Sequence, residues 1–140
     1  MTTDKQIIGS PVVFRLDQDS GVPTYLQLVH QVEHALRLGY LKVGDQLPKV
    51  RDVVTALTIH PNTVLKAYKE LEAKGLAAGR PGQGTFITAA LAAPPPEAGR
   101  ALRAPLEQWF RDAEEAGLSE EAVTALIAVV REDLKRERIG

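Results

Sequence analysis

Cysteine is missing from this 140-residue chain, which excludes disulfides and any thiolate-ligated metal site. Long apolar runs are missing too. No stretch approaches the roughly 18 residues needed to span a bilayer, and the opening MTTDKQII has no apolar h-region. A soluble cytoplasmic protein, with no membrane partner, is therefore the expectation. Aromatic residues are scarce at 5%, with a single Trp, and net charge is nearly absent at −1. What is present in quantity is aliphatic: 44% of residues are hydrophobic, enough to bury a core and to exclude wholesale disorder. The length suits one compact domain, or a small domain with an appendage.

The small net charge hides a division. Residues 1–88 carry 10 Lys/Arg against 8 Asp/Glu, and residues 89–140 carry 7 against 10. From Lys42 to Arg80 the count is 7 against 4. Positive charge gathers in a central block and negative charge in the C-terminal segment. An excess of this size does not by itself identify a nucleic-acid ligand.

Periodicity places the elements. The segment up to Ser10 is polar and expected to be loose. Val12, Phe14 and Leu16 alternate with Val13 and Arg15, which predicts a short strand. A first helix is predicted from Thr24, where Thr24-Tyr25-Leu26-Gln27 fits a capping box with Thr24 as N-cap. Leu28, Val32, Ala35 and Leu36 form its apolar face, and Leu38-Gly39 ends it. Pro48 suits the first turn of a second helix, with Val50, Val53, Val54 and Leu57 inward. Pro61 opens a third, whose buried face is predicted as Val64, Leu65, Tyr68 and Leu71, with Lys74-Gly75 as its stop. Residues 76–78 and 85–87 read as strands around a glycine-rich basic loop, residues 79–84. Residues 89–99, with three consecutive prolines, read as an extended linker. Two further helices follow. One carries Leu106, Trp109, Phe110 and Ala113 on one face and stops at Gly117. The other is capped by Ser119, with Glu120 and Glu121 in its first turn.

A short helix, a turn, a helix with polar residues at its start and a basic hairpin are the parts of a winged helix-turn-helix. Such a module lays one helix in the major groove of DNA. The predicted architecture is mainly α with a small β-wing: a DNA-binding domain over residues 1–88, an Ala/Pro-rich linker over 89–101 and a two-helix tail over 102–140. Two amphipathic helices cannot close a core by themselves. The stripe Leu106, Trp109, Phe110, Val123, Leu126, Ile127, Val130 and Leu134 is therefore expected to pack, as an antiparallel helical hairpin, on the same hairpin of a second chain. The alternatives are that it folds back onto the N-terminal domain or recruits another protein.

The wording of the block goes further. Pro23-Thr24-Tyr25-Leu26-Gln27, residues 39–48 (GYLKVGDQLP), residues 62–68 (NTVLKAY) and residues 82–87 (GQGTFI) resemble the GntR family of bacterial transcriptional regulators, over roughly residues 12–88. The short tail and the HPNTV wording resemble its small YtrA-type subgroup, whose tail dimerises and whose members often repress operons that encode ABC transporters. The resemblance implies a homodimer on an inverted-repeat operator of double-stranded DNA, with no cofactor, and leaves open whether a small-molecule effector exists. It implies DNA contacts at Arg51 near the start of the second helix, at His60, Asn62, Thr63 and Lys66 at the start of the reading helix, and at Arg80, Gly82 and Gln83 on the wing. Two positions depart from the family. Lys49 stands where Ser or Thr is common, exchanging a helix cap for a phosphate-seeking charge. Pro61 stands where many members have a base-reading Arg, which shifts readout toward His60, Asn62 or the wing.

A rival pattern is present. His30-Gln31-Val32-Glu33-His34 matches the H-x-x-E-H arrangement of inverted zinc proteases. A catalytic zinc needs a third protein ligand and an open position, and no downstream helix offers one. A small metal-binding protein or enzyme built on His30, Glu33 and His34 is thus a distant alternative, and no metal site is expected. Nor is the wing loop a P-loop, since it lacks Gly-Lys-Ser/Thr and no helix follows it.

Overall fold

The computed structural model describes residues 12–139; the polar opening, expected to be loose, lies outside them. The element order is α1 (Thr24–Arg37), α2 (Val50–Leu57), α3 (Pro61–Ala73), β1 (Ala77–Arg80), β2 (Gly84–Ile87), α4 (Pro96–Glu115) and α5 (Glu120–Ile139). These fall into two units, divided between Pro96 and Glu97. Among the described residues, no helix is long and apolar enough to cross a membrane.

In the first unit, α3 packs against α1, α2 and β1. Leu28, Val29, Val32 and Leu36 of α1 share one core with Val64, Ala67, Tyr68 and Leu71 of α3, joined by Val53 of α2 and by Leu41, Leu47, Leu76, Ala77 and Ile87. Each fully buried Leu or Val contributes about 1.5–3 kcal/mol over leaving it in water. Ala67, not Leu65, fills the inward position of α3: Leu65 is 42% exposed. Two adjacent apolar residues, Val64 and Leu65, made the phase of the stripe ambiguous in sequence. The three inward anchors Val64, Tyr68 and Leu71 turn Leu65 out.

The predicted strand at residues 12–16 does not form. Val12 and Phe14 are buried in the core, but the backbone beside them is held by a side chain. Arg15 N–H donates to Gln31 Oε1 (2.9 Å), and Gln31 Nε2 donates to the Arg15 carbonyl (2.7 Å). A carboxamide offers both donor and acceptor, so it can replace a strand partner. Gln27 does the same for the next loop. Its Oε1 accepts from Asp17 N–H, and its Nε2 donates to the Asp17 and Val22 carbonyls. Gln27 therefore does not close the predicted capping box. The N-cap is Pro23, with no side-chain cap, and Thr24 is the first helical residue.

Pro48 likewise precedes α2 rather than opening it. Lys49 is the N-cap and supplies no side-chain hydrogen bond. Pro48 is buried, and its carbonyl accepts from the Tyr68 hydroxyl, tying the approach to α2 onto α3. The wing is longer than expected. Ala77 pairs with Ile87, Ala78 with Phe86, Gly79 with Thr85 and Arg80 with Gly84, so only Pro81-Gly82-Gln83 forms the turn. A third segment, not foreseen, joins the hairpin: Leu47 N–H donates to the Thr85 carbonyl (2.8 Å), and Ile87 N–H donates to the Asp45 carbonyl (2.9 Å).

In the second unit, α4 begins at Pro96, inside the expected linker, because the fixed φ of proline suits a first helical turn. Pro105 lies in its interior and removes the hydrogen bond to the carbonyl four residues back. The helix ends in a Schellman pair: Leu118 N–H donates to the Ala113 carbonyl (3.0 Å), and Gly117 N–H to the Glu114 carbonyl (2.9 Å). Ser119 caps α5 by accepting from Ala122 N–H at 3.1 Å. Ala113 is the single buried residue of the described tail.

Tyr68 links α3 to the backbone ahead of α2, and the link is testable. Burial, with a smaller contribution from the charge of Asp52, raises its pKa above the ordinary tyrosine value. Below pH about 10 the phenol is neutral folded and unfolded; above it the unfolded chain loses the proton first. Stability from this group is thus full below pH about 10 and declines as pH rises further. Tyr68→Phe should cost about 1–3 kcal/mol at pH 7, because the Pro48 carbonyl loses its donor. It should also flatten the alkaline decline. Denaturant midpoints of both proteins across the alkaline range check this; identical declines would show that Tyr68 is not the group responsible.

Candidate DNA-binding surface

The N-terminus of α3 is built around His60, the N-cap, whose Nδ1 accepts from Asn62 N–H at 3.0 Å. An accepting Nδ1 puts the proton of the neutral ring on Nε2, so the outer edge of His60 offers a donor. Asn62, Lys66 and Lys69 are exposed, and Thr63 is half-buried. Lys66 Nζ lies 4.1 Å above the centre of the Tyr25 ring, a cation–π contact by which the first turn of α1 orients this ammonium.

Arg51 projects from the first turn of α2 with its side chain 82% exposed, and its nearest acid is Asp52 at 3.8 Å. An exposed pair at that distance holds the guanidinium weakly. Asp45 accepts from Lys42 N–H at 2.8 Å. On the wing, the Arg80 guanidinium stacks 4.6 Å over the Phe86 ring. Lys49, Arg51 and residues 79–85 of the wing line one open cleft of about 640 Å³. No carboxylate lines it, so three cations face a common space.

The structure thus brings together Lys49, Arg51, Arg80, Gly82 and Gln83 in the cleft. It sets His60, Asn62 and Lys66 on the start and outer side of α3. Sequence reasoning missed Gln46. Its Nε2 donates to the Gln83 carbonyl at 3.0 Å and braces the wing turn from outside the hairpin. Gly84 has φ +124°, and a Cβ there would lie 2.6 Å from Gln46 Nε2, so both the backbone and the brace require glycine. Tyr25, quoted for its motif alone, was missed as a partner of Lys66. Neither pairing has a sequence signal, since each joins residues far apart in the chain.

The rival metal pattern is dispersed. The His30 and His34 rings lie 6.5 Å apart, while Glu33 pairs with Lys74 at 3.3 Å. Among the described residues, no three His, Cys, Asp or Glu side chains are placed to share a metal ion. In the tail, Leu106, Phe110, Leu126, Val130 and Leu134 are exposed, and Trp109, Val123 and Ile127 are half-buried. Trp109 and Phe110 meet edge to face at 5.2 Å.

Comparison with known proteins agrees with this geometry. Residues 24–87 match the profile described as "Bacterial regulatory proteins, gntR family". The HTH-type transcriptional repressor YtrA of Bacillus subtilis is 34% identical over 124 residues, covering 88% of this chain and 95% of the repressor. A transcriptional antiterminator from Listeria monocytogenes superposes with a TM-score of 0.55 at 28% identity, over 89% of this chain and 93% of its own. YtrA from Sulfolobus acidocaldarius, a GntR-family transcription factor, shares the fold with a TM-score of 0.51 at 24% identity, over 73% and 97% of the two chains. A reading helix and wing inside the matched region, and an aligned relative whose length is nearly all covered, lead to one conclusion: the chain belongs to the GntR family of bacterial transcriptional regulators and is a DNA-binding protein.

Proposed function

We propose that the protein is a homodimeric repressor that binds an inverted-repeat operator. Its targets would be its own operon, with an ABC transporter among the genes, as the subgroup resemblance implies. The observation that carries this reading is the pairing of a cation-lined cleft with a tail that leaves Leu106, Phe110, Leu126, Val130 and Leu134 of its apolar stripe exposed in one chain. Alignment with the Bacillus subtilis repressor over 95% of its length supports the repressor assignment. A two-fold dimer presents two reading heads in opposite orientations, which calls for a two-fold symmetric site. The protein acts by occupying DNA and carries out no reaction.

Roles divide by chemistry. Lys49, Arg51, Lys66 and Arg80 meet phosphates. Asn62 can bond an adenine edge through two atoms, and His60 Nε2–H can donate to a base or phosphate acceptor. Gly82 and Gln83 bring the wing backbone close to the duplex.

Three outcomes are expected. Sedimentation at micromolar concentration should show a dimer, and Leu126→Glu combined with Leu134→Glu should give a folded monomer with operator affinity reduced at least about a hundredfold, since one half-site is lost. A wild-type monomer sinks the dimer reading; a dimer untouched by the substitutions assigns the stripe to another partner. Four phosphate contacts per chain neutralise about eight charges, so log K against log salt should slope at about −7; a slope near −2 would make most of these cations bystanders. Asn62→Ala should cost about 1–3 kcal/mol on the operator and relax base preference, whereas Arg80→Ala should weaken operator and random DNA alike. Equal losses on both DNAs for Asn62→Ala would remove its base-reading role.

A further inference from the structure

Helix α3 has two faces. Val64, Ala67, Tyr68 and Leu71 are buried. Asn62, Leu65, Lys66 and Lys69 follow at the i, i+3, i+4, i+7 spacing of one outward stripe and, with Glu70, bound a shallow concavity. Leu65 is the anomaly in this stripe: it is 42% exposed, between groups that suit phosphates and base edges. A lone exposed leucine on an arbitrary surface carries no information. This one lies on the outward face of α3 that the operator reading assigns to the groove, with Asn62 one turn before it and Lys66 and Lys69 after it.

We propose that Leu65 is a specificity residue that reads a thymine, packing its methyl groups against the thymine C5-methyl. The proposal rests on the operator reading above and names one of the bases read. Thymine is the base that carries a methyl group in the major groove. Asn62 and Leu65 differ by about 4.5 Å of rise along the helix, against about 3.4 Å for each base step. On a helix that follows the major groove, the thymine neighbours the base read by Asn62. Binding removes the leucine from water, so exposure in the free protein becomes discrimination in the complex.

The test uses the full-length chain and an operator selected by it from random-sequence duplexes. Each thymine of one half-site is replaced in turn by deoxyuracil, which lacks only the methyl group. At one position, next to the base read by Asn62, deoxyuracil should weaken wild-type binding about fourfold, the worth of one buried methyl group. Leu65→Ala should bind the thymine operator several-fold more weakly and become indifferent to deoxyuracil at that position. Because Leu65 is exposed, alanine should leave folding intact, and the deoxyuracil arm needs no variant at all. Wild-type indifference to every replacement overturns the proposal. So does a deoxyuracil effect that persists undiminished in Leu65→Ala, or a Leu65→Ala variant altered only in self-association. Failure to select any sequence overturns the operator reading itself, and is distinguishable because selection precedes the replacements.

Discussion

The burial of Val64, Ala67, Tyr68 and Leu71 fixes the rotation of α3 about its own axis, and that rotation decides which side chains face outward. A turn of one residue would carry Leu65 into the core and swing Lys66 away from Tyr25. The close packing of interiors forbids intermediate settings, because a core accepts one phase of a helix and resists the rest. The outward face of α3 is therefore a consequence of what lies beneath it. Leu28, Val32 and Leu36 of α1 and Val53 of α2 hold the helix from one side, while Leu76 and Ile87 hold it from the wing side.

A second level of order rests on polar braces that cross between segments. Gln27 and Gln31 tie the N-terminal loop to α1, Tyr68 ties α3 to the backbone ahead of α2, and Gln46 ties that same backbone to the wing turn. Each brace satisfies backbone groups that a conventional sheet or cap would otherwise serve. Together they make the start of α2 and the wing into one piece, so Lys49, Arg51 and Arg80 line a common cleft.

Most of the fold was legible because its signals are local. Pro61 at the start of α3, Gly75 after its end, the Ser119 cap and the Gly117 stop each act within one turn of chain. The errors have one physical source. Residues 12–16 alternate like a strand, yet their partner is the Gln31 side chain, which no periodicity reveals. Thr24 and Gln27 are spaced as a capping box, yet Gln27 reaches a loop that can compete for it only once the chain has folded. Leu65 was placed inward because Val64 beside it is equally apolar, and only the packed neighbours choose between them. For the candidate surface, positions along α3 and the hairpin follow from spacing; the contacts between Lys66 and Tyr25 and between Gln46 and Gln83 join distant parts of the chain and exist only in three dimensions. The tail was readable as two helices, although its first begins earlier than composition suggested, since Pro96 belongs to the helix and not to the prolines before it.

The brace at Gly84 bears on which positions of the wing tolerate change. A side chain at position 84 would displace the Gln46 carboxamide from its brace and face an unfavourable backbone angle at once, so change there loosens the turn and strains the chain. The turn residues Pro81 and Gln83 are exposed, and side chains there can vary without displacing the core. Variation in the wing is thereby channelled to its outermost positions, with Gly84 beneath kept constant. A designer altering the wing would graft onto that rim and leave the glycine alone.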